Sequence, residues 1–123
     1  MNDVAIASAL KLLDDYMAAF NARDADAFEA TFNHPHVTIG RGAPVVTERG
    51  RPTPAWTFTA ASSDWSHSTL DRRTVIHACE DKVHIDARIT RHRRDGGVIG
   101  TYDVVYVITL EDGHWGMKAL SGA

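Results

Sequence analysis

The dipeptide Asp95-Gly96 separates two long alternating segments, "DKVHIDARITRHRR" and "GVIGTYDVVYVIT". Such a pair favours a two-residue type I′ hairpin loop, because both central residues take positive φ. With Arg94 and Gly97 closing the turn, the pairing comes from counting outward. Val83, Ile85, Ala87 and Ile89 fall opposite Ile108, Tyr106, Val104 and Tyr102. His84, Asp86, Arg88 and Thr90 fall opposite Val107, Val105, Asp103 and Thr101. Side chains alternate along a strand, so these two sets occupy opposite faces. One face is apolar and aromatic and needs a cover. The other carries two carboxylates, a guanidinium and an imidazole.

The cover comes from earlier in the chain. Ile6, Leu10, Leu13, Met17 and Phe20 recur at helical spacing across residues 3–22, with Tyr16 beside them. "NARD" interrupts this pattern. Asp24 is placed to cap a short second helix that buries Ala27, Phe28, Thr31 and Phe32 and stops at Pro35. "HVTI" (36–39) alternates as a strand, with "VVTE" (45–48) as its partner. Thr53-Pro54 starts a third helix that carries Trp56 and stops near Ser62-Ser63. Strands over 70–79, 82–93, 98–110 and 114–121 come next. Helices first and an antiparallel meander afterwards predict an α+β fold, with helices on one sheet face.

At 123 residues a single domain spanning 1–123 is expected, with a real core. The net charge of -3 leaves no basic surface for nucleic acid. No apolar run reaches membrane length, and the N-terminus lacks the order of a signal peptide. The single cysteine, Cys79, cannot form an internal disulfide, so a cytoplasmic location is expected. No membrane partner and no cofactor are expected.

"LLDDYMAAFNARDADAFEATF" resembles the paired opening helices of the nuclear transport factor 2-like superfamily, and "DGHWGMKALS" resembles its last strand. That superfamily includes ketosteroid isomerases, SnoaL-like polyketide cyclases and many small proteins of unknown function. The resemblance covers nearly the whole chain. It implies a cystatin-like cone: a curved antiparallel sheet wrapped around two or three N-terminal helices, with an apolar cavity at the open end. It also implies a homodimer through the outer sheet face. The isomerases carry a hydrogen-bond-donating tyrosine where this chain has Tyr16. Their aspartate base matches Gly40, and their second oxyanion donor falls at Val105 or Tyr106, depending on a one-residue gap. A glycine takes no proton from a carbon acid, so their mechanism is not available here in that form.

Several residues are candidates for a site. The polar row is expected outside, because covering five ionisable groups with helices would cost several kcal/mol unless all were paired. With Glu80-Asp81 as a turn, His77 faces His84 and Arg73 faces Arg88, and Val75, Val105 and Val107 make the outer face half-apolar, as a dimer interface requires. A gapless match of the hairpin to the isomerases would turn the row inward instead. His34 and His36 share a strand side, as a metal pair would, but no third ligand lies near in sequence, so no metal is expected. His36 is the one candidate general base. Its competing role is a histidine satisfied by backbone. Tyr16, Phe20, Trp56, Tyr102 and Tyr106 are the candidate ligand-binding residues, with plain core packing as their alternative. Ser66 and His67 are adjacent in a strand and should point apart, which argues against a nucleophile–base pair. Cys79 is expected to be inert, and "RHRR" (91–94) a solvated hairpin tip.

The function these readings support is binding of a small apolar organic molecule, with isomerase, cyclase or hydratase-type chemistry as an extension of it. The alternative is a non-catalytic dimerisation or scaffold module.

Overall fold

The computed structural model describes residues 2–51, 53, 55–58 and 64–122, with the side chains of Ala55 and Trp56 excepted. Its elements are α1 (Asp3–Ala22), α2 (Ala25–Glu29), β1 (Phe32–Ile39), β2 (Val45–Thr47), a 3₁₀ turn (Ala55–Phe58), β3 (Trp65–Cys79), β4 (Lys82–Arg93), β5 (Val98–Glu111) and β6 (His114–Gly122). The strands form one sheet in the order β2-β1-β6-β5-β4-β3. Every neighbouring pair is antiparallel except β1 and β6. Residues 59–63, where the third helix is expected to end, lie outside the described residues, as does Pro54.

Alternation sets the β4–β5 register as counted. Ile85 lies opposite Tyr106, Ala87 opposite Val104, and Arg88 opposite Asp103. The turn chemistry differs from expectation. Gly96 has φ 89°, whereas Asp95 is not among the residues with positive φ. The loop is three residues, Arg94-Asp95-Gly96, closed by the Arg93 N–H donating to the Gly97 carbonyl at 2.8 Å. This is the longer hairpin loop in which glycine takes the left-handed position. An irregularity between Arg91 and His92 absorbs the extra residue, so the ladder beyond it keeps the same pairs.

The β3–β4 register matches expectation only in part. His77 does face His84, but Arg72, not Arg73, faces Arg88. Irregularities fall between Trp65 and His67, Leu70 and Arg72, and Val75 and His77. Each bulge inserts one residue and reverses the face of the residues beyond it. Val75 therefore leaves the outer face, lies opposite Ile85 and packs on the core. Arg73 donates to the Leu10 carbonyl and pairs with Asp14 on α1. Ser66 and His67, expected to point apart, are in contact, Oγ to Nδ1 at 3.1 Å. That contact is exposed on an edge strand.

Helix α1 buries a face slightly rotated from the one expected. Ala5, Ala9, Leu12, Leu13, Tyr16, Met17 and Ala19 are buried, while Ile6, Leu10 and Phe20 are half-buried. Alanines carry little apolar weight in a periodicity count, yet they let the helix axis approach the sheet closely. Opposite them, Val83, Ile85 and Ala87 of β4 and Ile108 of β5 are fully covered. Burying one such large aliphatic side chain contributes about 1.5–3 kcal/mol.

Each residue of "NARD" except its alanine has a task. Asn21 clasps the Ser68 backbone through both its amide atoms, at 2.9 and 2.7 Å. Arg23 ends α1 in the left-handed region, and its N–H and that of Asp24 satisfy the last carbonyls, in the arrangement of a Schellman cap. Its guanidinium lies 4.1 Å from the Trp65 ring and donates to the Trp65 carbonyl. Asp24 caps α2 through the Ala27 N–H, as expected. That helix is shorter than anticipated, and Ala27 is exposed. Pro35 does not end it. Pro35 sits inside β1, within the irregularity between Phe32 and Val37, where its missing N–H breaks no ladder bond.

Asn33 holds β1 onto the sheet. It is buried, donates to the Thr109 and His114 carbonyls, and meets His114 Nδ1 at 2.7 Å. A Cβ on Gly116 would lie 2.7 Å from Asn33, so this glycine makes room for the amide. Asn33→Ala should lower unfolding stability by about 1–3 kcal/mol, the cost of leaving buried partners unpaired. Urea denaturation checks this. A midpoint unchanged from wild type would remove Asn33 from this role.

Candidate functional site

Where α1 crosses the inner sheet face, Tyr16, Met17 and Phe20 stand over β3, β4 and β5. Between them and Ser68, Ile89, Arg91 and Tyr106 lies an open-mouthed cavity of about 60 Å³. That is the share of about two water molecules in the liquid. It suits a few non-hydrogen atoms, well below the roughly 300–1,000 Å³ of pockets for drug-sized ligands. A steroid does not fit it.

The walls are aromatic. Tyr16 meets Phe28, Phe32 and Tyr106 at ring-centroid distances of 5.1, 5.8 and 5.7 Å. Phe20 meets Phe58 at 5.6 Å and Trp65 at 5.0 Å. Tilted and edge-on pairs of this kind contribute about 0.5–1.5 kcal/mol each beyond their buried area. The site is thereby built on a rigid ring cluster rather than on loops.

Burial pushes the Tyr16 hydroxyl far above its ordinary range and the Tyr106 hydroxyl up to about 12, while the Arg91 charge opposes both shifts. Both phenols stay neutral under ordinary conditions and act as donors. Among the described residues neither hydroxyl has a hydrogen-bond partner. Tyr106 points inward and Val105 outward, so the tyrosine shares the cavity with Tyr16.

Tyr102 stands beside this group. Its ring folds over Gly100, where an added Cβ would lie 2.5 Å from the Tyr102 hydroxyl. The Arg91 guanidinium lies 5.5 Å from the Tyr102 ring and 6.0 Å from Phe20. Arg91, expected in a solvated tip, is instead half-buried and faces inward. Parity carries its position: it continues the row Val83, Ile85, Ala87 and Ile89. Ser68 carries no such signal, because it precedes the segment whose alternation reads as strand. Trp56 belongs to the 3₁₀ turn, and its side chain lies outside the described residues.

His36 does not line this cavity. Its ring stacks on Phe32 at 4.2 Å, with the His34 ring 5.4 Å away. His34 lies on the same side and meets Glu29 at 3.2 Å, and its Nδ1 is buried without a partner. Among the described residues no three His, Cys, Asp or Glu side chains are grouped as a metal ion needs. Gly40, which the sequence resemblance sets at the isomerases' base, lies beyond β1 with open space around it. Cys79 is half-buried, its thiol directed to Asp81 and the Lys82 carbonyl.

The polar row faces outward. Arg88 pairs with Asp103 at 2.9 Å, and Arg72 bridges Asp86 at 3.2 Å and Asp103 at 3.7 Å. These side chains are 38–62% exposed, so the network holds the sheet surface and is screened by water. No described helix is long and apolar enough to cross a membrane.

Burial, and then the nearby His34, lower the His36 pKa from its ordinary 6.5. The unfolded chain therefore takes up this proton first. The stabilisation from neutral His36 is complete above pH 6.5 and is lost as the pH falls through the folded value. His84 shifts the same way, through burial and His77. The melting temperature should fall as the pH is lowered from about 6.5 toward 5, and His36→Gln should flatten that slope. A slope unchanged in the variant would contradict the assignment.

No curated protein matches the chain in sequence. Solved structures match it in fold. An NTF2-like protein of unknown function from Pseudomonas putida superposes with a TM-score of 0.77 at 14% identity, covering 100% of this chain and 88% of that one. An NTF2-like protein from Cytophaga hutchinsonii gives 0.73 at 17% identity, covering 100% and 98%. A ketosteroid isomerase-like protein from Erwinia carotovora atroseptica gives 0.63 at 18% identity, covering 94% and 92%. At these identities the likeness is one of fold, and an α+β cone of helices against a curved sheet is what they share. A family described as NTF2-like protein (DUF6841) matches residues 7–121, and the chain belongs to that family.

Proposed function

We propose that this NTF2-like domain binds a small organic molecule in the cavity beneath α1, with Tyr16 and Tyr106 as the polar pole. The observation that carries this reading is that two tyrosines of one cavity lining carry hydroxyls with no hydrogen-bond partner among the described residues. A ligand oxygen that accepts from such a hydroxyl gains about 0.5–1.5 kcal/mol. The apolar body of the ligand rests on Met17, Phe20 and Ile89. At about 60 Å³ behind an open mouth, the site takes a short-chain molecule of a few non-hydrogen atoms. The described lining holds no carboxylate or imidazole, so proton abstraction of the ketosteroid kind has no base there. His36 would serve as one only for a ligand that extends toward Phe32.

The test is a titration of short-chain fragments, charged and neutral, monitored by amide NMR. Binding in the cavity moves the resonances of Met17, Phe20 and Ile89, and Tyr16→Phe weakens it several-fold. Saturable binding that Tyr16→Phe leaves unchanged would remove Tyr16 from the site.

A second reading, a homodimerisation module, is favoured by the outer sheet face. Val105 and Val107 stay half-exposed there beside Asp86, Arg88 and Asp103. Val105→Glu with Val107→Glu would then set like charges against each other and yield monomers. A wild-type protein that sediments as a monomer at micromolar concentration sinks this reading.

A further inference from the structure

Arg91 is the one charged residue in the described lining of the cavity. Arg72, Arg73, Arg88 and Arg93 all contact carboxylates. Arg91 has no ion pair or hydrogen bond among the described residues, and its neighbours are the faces of Tyr102 and Phe20. Those rings orient the guanidinium without neutralising it. Two more donors belong to residues of the same lining, the hydroxyls of Tyr16 and Tyr106. Ser68 Oγ already accepts from Trp65 Nε1 at 3.0 Å, which leaves its own proton to donate. The lining therefore offers one positive charge and three hydroxyl donors, with no negative group among the described residues to answer them.

We infer that the cavity takes a small monocarboxylate, its oxygens held by Arg91 and the Tyr16 and Tyr106 hydroxyls, its apolar body against Met17, Phe20 and Ile89. A single guanidinium balances a single negative charge, and its planar fork matches a carboxylate. The apolar wall selects an organic anion over an inorganic one. The size of the space restricts the body to a short chain. This inference rests on the cavity being the ligand site and adds the chemical class of the ligand.

Calorimetric titration of the full chain with acetate, propionate and butyrate, beside their neutral amides, tests it. The carboxylates should bind at least tenfold more tightly than the amides. Arg91→Gln should weaken the carboxylates about ten- to hundredfold and leave the amides unchanged, since hydrogen bonds to charged groups are the strong ones. Tyr106→Phe should weaken the carboxylates several-fold. If Arg91→Gln does not fold, Arg91→Lys replaces it: losing the fork should weaken the carboxylates several-fold and spare the amides. Carboxylate affinity unchanged in the folded Arg91 variant overturns the inference. Amides that bind as tightly as carboxylates, with Met17 and Ile89 perturbed, overturn it while leaving the cavity reading intact. No binding by any compound overturns both.

Discussion

One register decides this structure. With Ile85 opposite Tyr106, the inner face of β4 and β5 is apolar and can receive α1, and the charged row turns to water. A slip of one residue would exchange the two faces and bring His84, Asp86 and Arg88 beneath the helix. The cost of covering those ions is far above that of any single turn or cap. The loop chemistry bends to this constraint: a three-residue loop replaces a two-residue one, and a bulge at Arg91–His92 restores the register.

The same parity explains which parts of the fold are legible in the sequence. Strict alternation in β4 and β5 reveals every cross-strand pair from Val83 to Thr90, and local signals mark the Asp24 cap and α1. Bulges break the counting in β3. One extra residue near Ile76 carries Val75 inward and sets Arg72 opposite Arg88, and another, between Trp65 and His67, brings Ser66 against His67. No local motif announces a bulge, because its cause is the curvature of the whole sheet. The α2–β1 boundary departs from expectation for a related reason: Pro35 reads as a helix stop, yet an irregular strand tolerates it.

The site is legible in its aromatic half. Tyr16, Phe20 and Tyr106 meet at the cavity, and Tyr102 stands next to it. Its charged half is hidden by composition, which groups Arg91 with its neighbours His92, Arg93 and Arg94. Alternation separates them, since Arg91 shares the side of Ile89. Where the resemblance sets the isomerases' carboxylate base this chain has Gly40, and the described cavity lining carries one guanidinium and three hydroxyls. On the proposal above, that lining holds and orients an anion.

The central claim is that the Tyr16 and Tyr106 hydroxyls and the Arg91 guanidinium meet one ligand in one cavity. Site-resolved ¹³C NMR of the tyrosine Cζ and arginine Cζ carbons, with butyrate added, reads this directly. The account predicts that the signals of Tyr16, Tyr106 and Arg91 shift together along one saturation curve, while Arg88 on the outer face stays still. Shifts confined to outer-face arginines, or an Arg91 signal that moves without either tyrosine, would contradict it.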